Sequence, residues 1–391
     1  MLRHVINQSY KSVVQDIFLH SILTISSPKS LNEFKTVGCD INMYTPTALS
    51  LFSGCGGDTL GMTNAGIDVT AYSELKTKFQ ETHELNFKRS KLIGGDINKI
   101  TDEDFEKLSG KIDIIFGGFP CQSFSNAGKK NPDDMRGQLY LQFVRAVRII
   151  KPKYIIGENV KGLLNRKTSN GENFIDIIVK AFNDVGYTCH YKVLKAHEHG
   201  IPQKRERLFI VGSRDEDFTF EFPEPSENEV GLRDILKFDM EGALQVPKEL
   251  IQEAGVSEDS ILLGEGEPVG KVHPYLTLHE KARGVTWKDK RVSEYQFSFG
   301  KRISPIHCEI VDITKPSKTI ICTYDHQPRL YVALKTGDDY YLRPFTVCEL
   351  QQIQGFPADY KLAGSLKEQV VQIGNSIPPK LVEDIVRRLK F

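Results

Sequence analysis

The residues best equipped for covalent chemistry stand in Gly117-Gly118-Phe119-Pro120-Cys121-Gln122-Ser123-Phe124-Ser125, directly after the apolar run 112–116. A cysteine at an exposed turn can lose its proton and attack as thiolate, whereas one on a core strand is inert packing. Its place after a strand-like run makes Cys121 the nucleophile candidate. One run later, Gly157-Glu158-Asn159-Val160 puts a carboxyl at the same expected sheet edge. Further on, Gln203-Lys204-Arg205-Glu206-Arg207 gathers three cations in front of another apolar run. With a nucleic-acid substrate such arginines would clamp the target nucleotide; a solvated charge cluster has the same composition.

A second group of residues suits a cofactor. Phe52-Ser53-Gly54-Cys55-Gly56-Gly57 follows an apolar run and opens a helix-like stretch, where backbone amides and a helix N-terminus can hold a polar group. Counted from Gly54, the sixth position is Thr59, which departs from the nicotinamide fingerprint. Glu74 ends the next run, where a carboxylate can meet a ribose diol, and Asp96 in Gly95-Asp96-Ile97 ends the third, where one can meet an adenine amino group. These describe an adenosine lying across the carboxyl ends of the strands.

The elements that must position these groups are legible in the alternation of apolar runs with amphipathic stretches. The runs are 47–52, 68–72, 91–94, 112–116, 154–157, 187–194 and 207–212, and the helix-like stretches 58–65, 75–86, 101–108, 138–150 and 172–185. The expectation is an α/β fold with an open, doubly wound, Rossmann-like sheet. The alternation then stops: residues 215–268 carry 16 acidic against 3 basic side chains, and 269–330 carry 11 basic against 6 acidic. That reversal predicts a second, smaller domain with one face suited to a polyanion, although a solvated loop followed by ordinary lysines reads the same way. Residues 341–391 return to amphipathic helix texture, and 1–46 hold short apolar clusters compatible with one helix of unread role.

Composition sets outer limits. Fifty-one basic residues balance 51 acidic ones in 391 residues, so any polyanion must be met by a local patch. Seven cysteines without a Cys-x-x-Cys pair argue against a disulfide framework and a structural zinc site, and no metal is expected. With neither a secretory signal nor an apolar run near the roughly 18 residues needed to span a bilayer, the expectation is a soluble, intracellular, cytoplasmic protein without a membrane partner.

Taken in order and spacing, the segments Phe52-Ser53-Gly54-Cys55-Gly56-Gly57, Glu74, Gly95-Asp96, Pro120-Cys121-Gln122, Glu158-Asn159-Val160, Gln203 to Arg207, Lys315-Pro316-Ser317-Lys318-Thr319 and Gly374-Asn375-Ser376 resemble the cytosine-5 DNA methyltransferase family over 47–225 and 312–391. The resemblance implies S-adenosylmethionine held by Phe52, Ser53, Gly54, Gly56, Gly57, Glu74, Leu75, Asp96, Ile97, Pro120, Leu139, Asn375 and Ser376. It implies catalysis by Cys121, Glu158, Arg205 and Arg207 on a cytosine flipped out of double-stranded DNA. Gln122, Lys129, Arg136, Lys301 and Arg302 are expected DNA contacts. Leu75 departs from the aromatic or isoleucine common beside the adenine, and Ala127 from a serine found in some members.

The expected organisation is an extension 1–46, a discontinuous catalytic domain 47–221 and 312–391, and a target-recognition domain 222–311. The basic, aromatic stretch 271–302, with Trp287, Tyr295 and Phe297, is the candidate for groove contact, and it reads equally well as the core of a small β-rich domain. The length favours a stand-alone monomeric modification enzyme, with a restriction endonuclease as a separate partner. tRNA cytosine-5 methylation and a catalytically silent DNA-binding scaffold are the alternatives. Against the first, 321–324 read Ile-Cys-Thr-Tyr rather than Cys-Phe-Thr; against the second, the cysteine and cofactor glycines are retained.

Overall fold

The computed structural model describes residues 44–120, 139–168, 170–226, 228–237, 239–245, 286–289, 293–298, 309–325, 328–336 and 339–391. Cys121, Gln122, Ala127, Lys129 and Arg136, the helix expected within 1–46, and Lys301 and Arg302 lie outside these residues.

Seven strands form the central sheet: β1 (Thr47–Leu51), β2 (Asp68–Ser73), β3 (Lys91–Gly94), β4 (Ile114–Gly117), β5 (Tyr154–Val160), β6 (Thr188–Lys195) and β7 (Glu206–Ser213). Their order is β3-β2-β1-β4-β5-β7-β6. Strands β1 to β5 pair in parallel, and the order reverses beside β1, the switch point where open α/β sheets bind ligands. The inner strands β1, β4, β5 and β7 are largely apolar and buried, as the middle of a sheet covered on both faces requires, whereas β3 and β6 at its two edges are partly exposed.

The helices α1 (Gly57–Asn64), α2 (Thr77–Asn86), α3 (Asp102–Glu106), α4 (Leu139–Ile150) and α5 (Phe174–Asn183) fall where amphipathic stretches were expected. Their ends, and those of the strands, differ from the expected ones by at most three residues. Helix α4 buries Phe143, Ala146, Val147 and Ile150, one face at helical spacing, against one side of the sheet. A Thr101–Asp104 capping box starts α3.

Direction is where the sheet departs from a plain βαβ alternation. Strand β7 runs antiparallel to both β5 and β6, and only the single turn Ala196–His199 and the short segment 200–205 separate β6 from it. Periodicity reports burial, not strand direction, so apolar runs alone could not show this hairpin.

The chain's end returns to the sheet through α6 (Val347–Ile353), α7 (Leu366–Asn375) and α8 (Pro379–Val386). Met62 of α1 and Leu381, Val382 and Ile385 of α8 share the core on the face opposite α4. A Cβ at Gly61 would lie 2.3 Å from the Pro379 carbonyl oxygen and 2.7 Å from Val382 Cβ, so this helix contact requires glycine. Ser317–Lys318 pairs with Gln203–Lys204, tying the two halves of the expected catalytic domain together.

A second apolar core gathers Leu232, Val311, Tyr331, Val332 and Leu342 with Leu350 and Ile373 of α6 and α7. Its sheet joins Leu244–Gln245 and Glu309–Ile310 to the hairpin Leu330–Thr336/Asp339–Pro344. The sheet thus draws strands from both sides of position 312. In the aromatic stretch the backbone forms a hairpin, Thr286–Asp289 with Ser293–Ser298, placing Trp287 opposite Phe297.

Candidate active site

The carboxyl ends of β1, β2, β4 and β5 meet at one edge, which carries Phe52, Ser53, Gly54, Glu74, Pro120 and Glu158, while Asp96 follows β3, Arg207 lies at the start of β7 and Asn375 and Ser376 lie at the end of α7. After β1 the chain turns through Phe52, Gly54 and Gly56, all with positive φ (57°, 58° and 87°). Phe52 is the only one of these for which that conformation is costly. Hydrogen bonds hold the turn: Ser53 N donates to Ser73 O at 3.0 Å and Gly56 N to Ser53 O at 2.9 Å.

Glu74 fastens this turn to β2. Its Oε2 accepts from Gly54 N at 2.9 Å and its Oε1 from Lys76 N at 2.8 Å. Burial pushes its carboxyl above the usual range, and those two amides oppose the shift. Each carboxylate oxygen keeps a second lone pair, so the same group can still meet a diol.

Beside it Leu75 is 68% exposed, an apolar side chain presented to the edge. Asp96 accepts from Asn98 N and Nδ2, both at 3.0 Å and both on Oδ1, and among the described residues Oδ2 takes no bond. Ile97, by contrast, is buried in the core, and its carbonyl oxygen accepts from Arg145. The donor set fits S-adenosylmethionine: an apolar platform, a free carboxylate oxygen and a buried carboxylate flank a turn above whose Gly54 a Cβ would meet nothing within 4 Å.

The reaction side is built from β4, β5 and β7. Register sets Glu158 opposite Phe209 and Val160 opposite Arg207, so Glu158 and Arg207 are diagonal neighbours on one face. Glu158 Oε1 lies 2.7 Å from Arg207 Nε. Burial raises the Glu158 carboxyl above its ordinary range, while Arg207 and then Arg205 pull it down. A Cβ on Gly118 would sit 3.5 Å from Glu158 Oε2 and 4.0 Å from the Phe52 carbonyl oxygen. The segment leading to Cys121 therefore passes between the cofactor turn and the carboxyl. Pro120 ends the described segment and is partly exposed.

Asn159 was not among the expected site residues, yet its Nδ2 donates to Phe119 O at 3.1 Å and fixes that segment. Its adjacency to Glu158 was the available signal. Gln203 was missed as well: its Nε2 donates to Gln354 Oε1 at 2.7 Å and its Oε1 accepts from Ile320 N at 3.1 Å.

Arg205 and Arg207, grouped together from sequence, have different tasks. Arg205 is 1% exposed and donates to the carbonyl oxygens of Ile320 at 3.2 Å, Gly374 at 2.9 Å and Ser376 at 3.0 Å. These three bonds go to backbone, while its Nε, also buried, takes no partner among the described residues. They hold the end of α7, where Asn375 is exposed and Ser376 buried. Leu139 opens α4 and packs on the core facing that helix.

Under the cofactor turn, Ser50 Oγ donates to Asp58 Oδ2, whose carboxyl is 2% exposed and pushed up to about 7 by burial. The thiols of Cys55 and Cys189 are both raised to about 12, also by burial, so neither ionises near neutrality. Among the described residues no cluster of three or more His, Cys, Asp or Glu could hold a metal ion, and no helix is long and apolar enough to cross a membrane.

The sequence model of the C-5 cytosine-specific DNA methylase family matches residues 47–390. The Type II methyltransferase M.FnuDI of Fusobacterium nucleatum is 33% identical over 348 residues, covering 88% of this chain and 93% of its own. The Type II methyltransferase M.NgoFVII of Neisseria gonorrhoeae is 34% identical over 346 residues, 88% of this chain and 86% of its own. The S. pombe Dnmt2 methyltransferase structure, 18% identical, shares the fold with a TM-score of 0.58 over 88% of this chain and 98% of its own.

Proposed function

Because the chain belongs to the C-5 cytosine-specific DNA methylase family and is a DNA cytosine-5 methyltransferase, we propose that it methylates a cytosine flipped out of duplex DNA through an adduct between Cys121 Sγ and C6 of the base. Phe52, Ser53, Gly54, Gly56, Gly57, Glu74, Leu75 and Asp96 would hold S-adenosylmethionine, whose sulfonium supplies the methyl group, with Pro120, Leu139, Asn375 and Ser376 around them. Ile97 supports that site from the core.

C5 of cytosine is a poor nucleophile until a group adds at C6, and that requirement explains the residues at the reaction edge. The Cys121 thiolate forms the S–C6 bond as N3 takes a proton from the Glu158 carboxyl. Burial suits Glu158 to this, because a raised carboxyl retains the proton it must donate. Its second oxygen accepts from the exocyclic amine. Arg207, fixed by Glu158 at 2.7 Å and by its Nη1 on the Glu206 carbonyl oxygen at 2.9 Å, directs the donors left over to the O2 of the base. After methylation C5 loses its proton to a base, the S–C6 bond breaks to restore the Cys121 thiolate, and N3 returns its proton to Glu158.

Flipping the base costs a few kcal/mol, which Arg207 and the DNA contacts of residues 122–136 and 271–302 offset. Gln122, Lys129, Arg136, Lys301 and Arg302 are the proposed phosphate and groove contacts, and 222–311 the proposed target-recognition region. The names of the Type II relatives support a role in modification beside a separately acting restriction endonuclease, and the proposed working unit is a monomer. The observation that carries this reading is the buried Glu158–Arg207 pair beside Gly118, facing the approach to Cys121. Methyl transfer by Cys121→Ser tests it: the variant is expected to bind S-adenosylmethionine normally and transfer nothing measurable, and transfer at the wild-type rate would remove Cys121 from the mechanism.

A further inference from the structure

At the sheet edge opposite the reaction, an open cleft of about 670 Å³ lies between Arg148, Lys151, Lys153 and Arg214, with Asp184 and Asp215 on its wall. The topology assembles it. Because β7 is antiparallel, Ser213 pairs with Tyr154 at the start of β5, so Arg214 emerges beside Lys153. The same strand carries Arg207 at its other end, roughly 23 Å away at about 3.3 Å per residue.

The C-terminal dipole of α4 accounts for a cation at Arg148 or Lys151. It does not account for Lys153, beyond the helix end, or for Arg214, which comes from another segment. Lys151 takes a left-handed φ of 57°, a conformation that favours glycine, yet the chain places a cation there. The opposing charges are weak competitors. Asp184 is engaged by Lys180 at 2.8 Å, and Arg148 reaches the exposed Asp102 only at 3.9 Å. Lys153 Nζ donates to the Lys390 carbonyl oxygen and lies 5.2 Å from the Tyr154 ring centroid, and among the described residues it forms no ion pair. Arg214, Lys151 and Arg148 are exposed.

We infer that this cleft binds phosphates of a second segment of DNA, distinct from the one that enters the reaction edge. The inference rests on the reading of the protein as a DNA methyltransferase, since that reading makes duplex DNA the polyanion at hand. The cleft is open rather than enclosed, and its four cations are spread over two segments, 148–153 and Arg214, as contact with a run of backbone phosphates requires. A duplex seated at the reaction edge has the sheet between it and this cleft, so a second segment must fill it.

The test compares the full-length protein with Arg148→Glu/Lys151→Glu/Arg214→Glu, none of which lies at the reaction edge. Binding to a long duplex is measured without S-adenosylmethionine across a salt series, with inorganic pyrophosphate as a second probe. The triple variant is expected to bind at least about tenfold more weakly, with a salt slope lower by about three, one phosphate contact per cation removed. Its kcat on a short duplex should stay unchanged, its thermal midpoint should fall only slightly because two acidic side chains then face the α4 C-terminal dipole, and Arg148→Lys/Lys151→Arg/Arg214→Lys should keep wild-type binding and midpoint. Equal affinity and slope would overturn the inference. So would pyrophosphate binding that the triple variant loses while its duplex affinity is intact, because the cleft would then serve a small phosphorylated ligand. Binding is read independently of methyl transfer, so a wild-type protein that binds but transfers nothing refutes the proposed function without touching this site.

Discussion

Arg205 donates to the carbonyl oxygen of Ser376 at 3.0 Å, joining residues 171 positions apart, while Arg207, two residues on, spends its Nε on Glu158 at 2.7 Å. Two cations that look interchangeable in sequence thus have different partners, and the proposed mechanism gives them different tasks. Arg205→Lys leaves at least one of three buried carbonyls unpaired and is expected to cost about 1–3 kcal/mol of stability. It should raise KM for S-adenosylmethionine more than it lowers kcat. Arg207→Lys should keep the unfolding midpoint and lose about a hundredfold in kcat/KM. Denaturant unfolding with steady-state kinetics separates them, and the reverse pattern would exchange the two roles.

Glu158→Gln removes the transferable proton while keeping the size of the side chain. We expect a loss of about 10²–10⁴ in kcat/KM. In the wild type, burial raises the Glu158 carboxyl, and the protonated form is the active one, so kcat/KM should fall as pH rises through that value. Arg207 opposes the rise, so Arg207→Gln should move the falling limb to higher pH as well as lowering the plateau. A limb that moves down instead would mean that the carboxylate is the working form.

Asp58 ties stability to pH. Its carboxyl is pushed from 3.8 to about 7 by burial, with Ser50 as a hydrogen-bond donor. Between those values the folded protein holds a proton that the unfolded chain has released, so this group's contribution is full below about pH 4 and is lost as pH rises through about 7. The whole effect is at most about 4 kcal/mol. Asp58→Asn, which can still accept from Ser50, should flatten the decline between pH 4 and 8 in urea titrations. A variant that declines in parallel with the wild type would place the effect elsewhere.

Gly61→Ala drives a methyl group to 2.3 Å from the Pro379 carbonyl oxygen. Separating α1 from α8 should cost about 1–3 kcal/mol or more and loosen the return of the C-terminal segment. Thermal unfolding reads the loss. An unchanged midpoint would show that the helices do not meet as closely as described.

What was legible in the sequence followed from burial. Strands β1, β4, β5 and β7 carry buried apolar runs, and α4 and α5 carry one apolar face each, so their positions could be read to within three residues. The direction of β7 could not, because an apolar run looks alike in either sense. The positions of Glu74 and Asp96, the carboxylates proposed to meet the cofactor, were legible because both follow the carboxyl ends of neighbouring parallel strands. The separate fates of Arg205 and Arg207 were not: Arg205 lies between the pairing segments Gln203–Lys204 and β7, and the carbonyls it serves come from residues 320 to 376. Gln203 was hidden for the same reason, since its partners Ile320 and Gln354 are distant in the chain.

The central claim, a cysteine- and glutamate-driven transfer to cytosine C5 in DNA, is tested most directly by incubating the purified protein with labelled S-adenosylmethionine and unmethylated genomic DNA, then mapping 5-methylcytosine at base resolution. The account predicts label on C5 of cytosines confined to one short sequence motif, abolished in Cys121→Ser and reduced at least about a hundredfold in Glu158→Gln. Label on tRNA but not on DNA, or none on either despite cofactor binding, would contradict it.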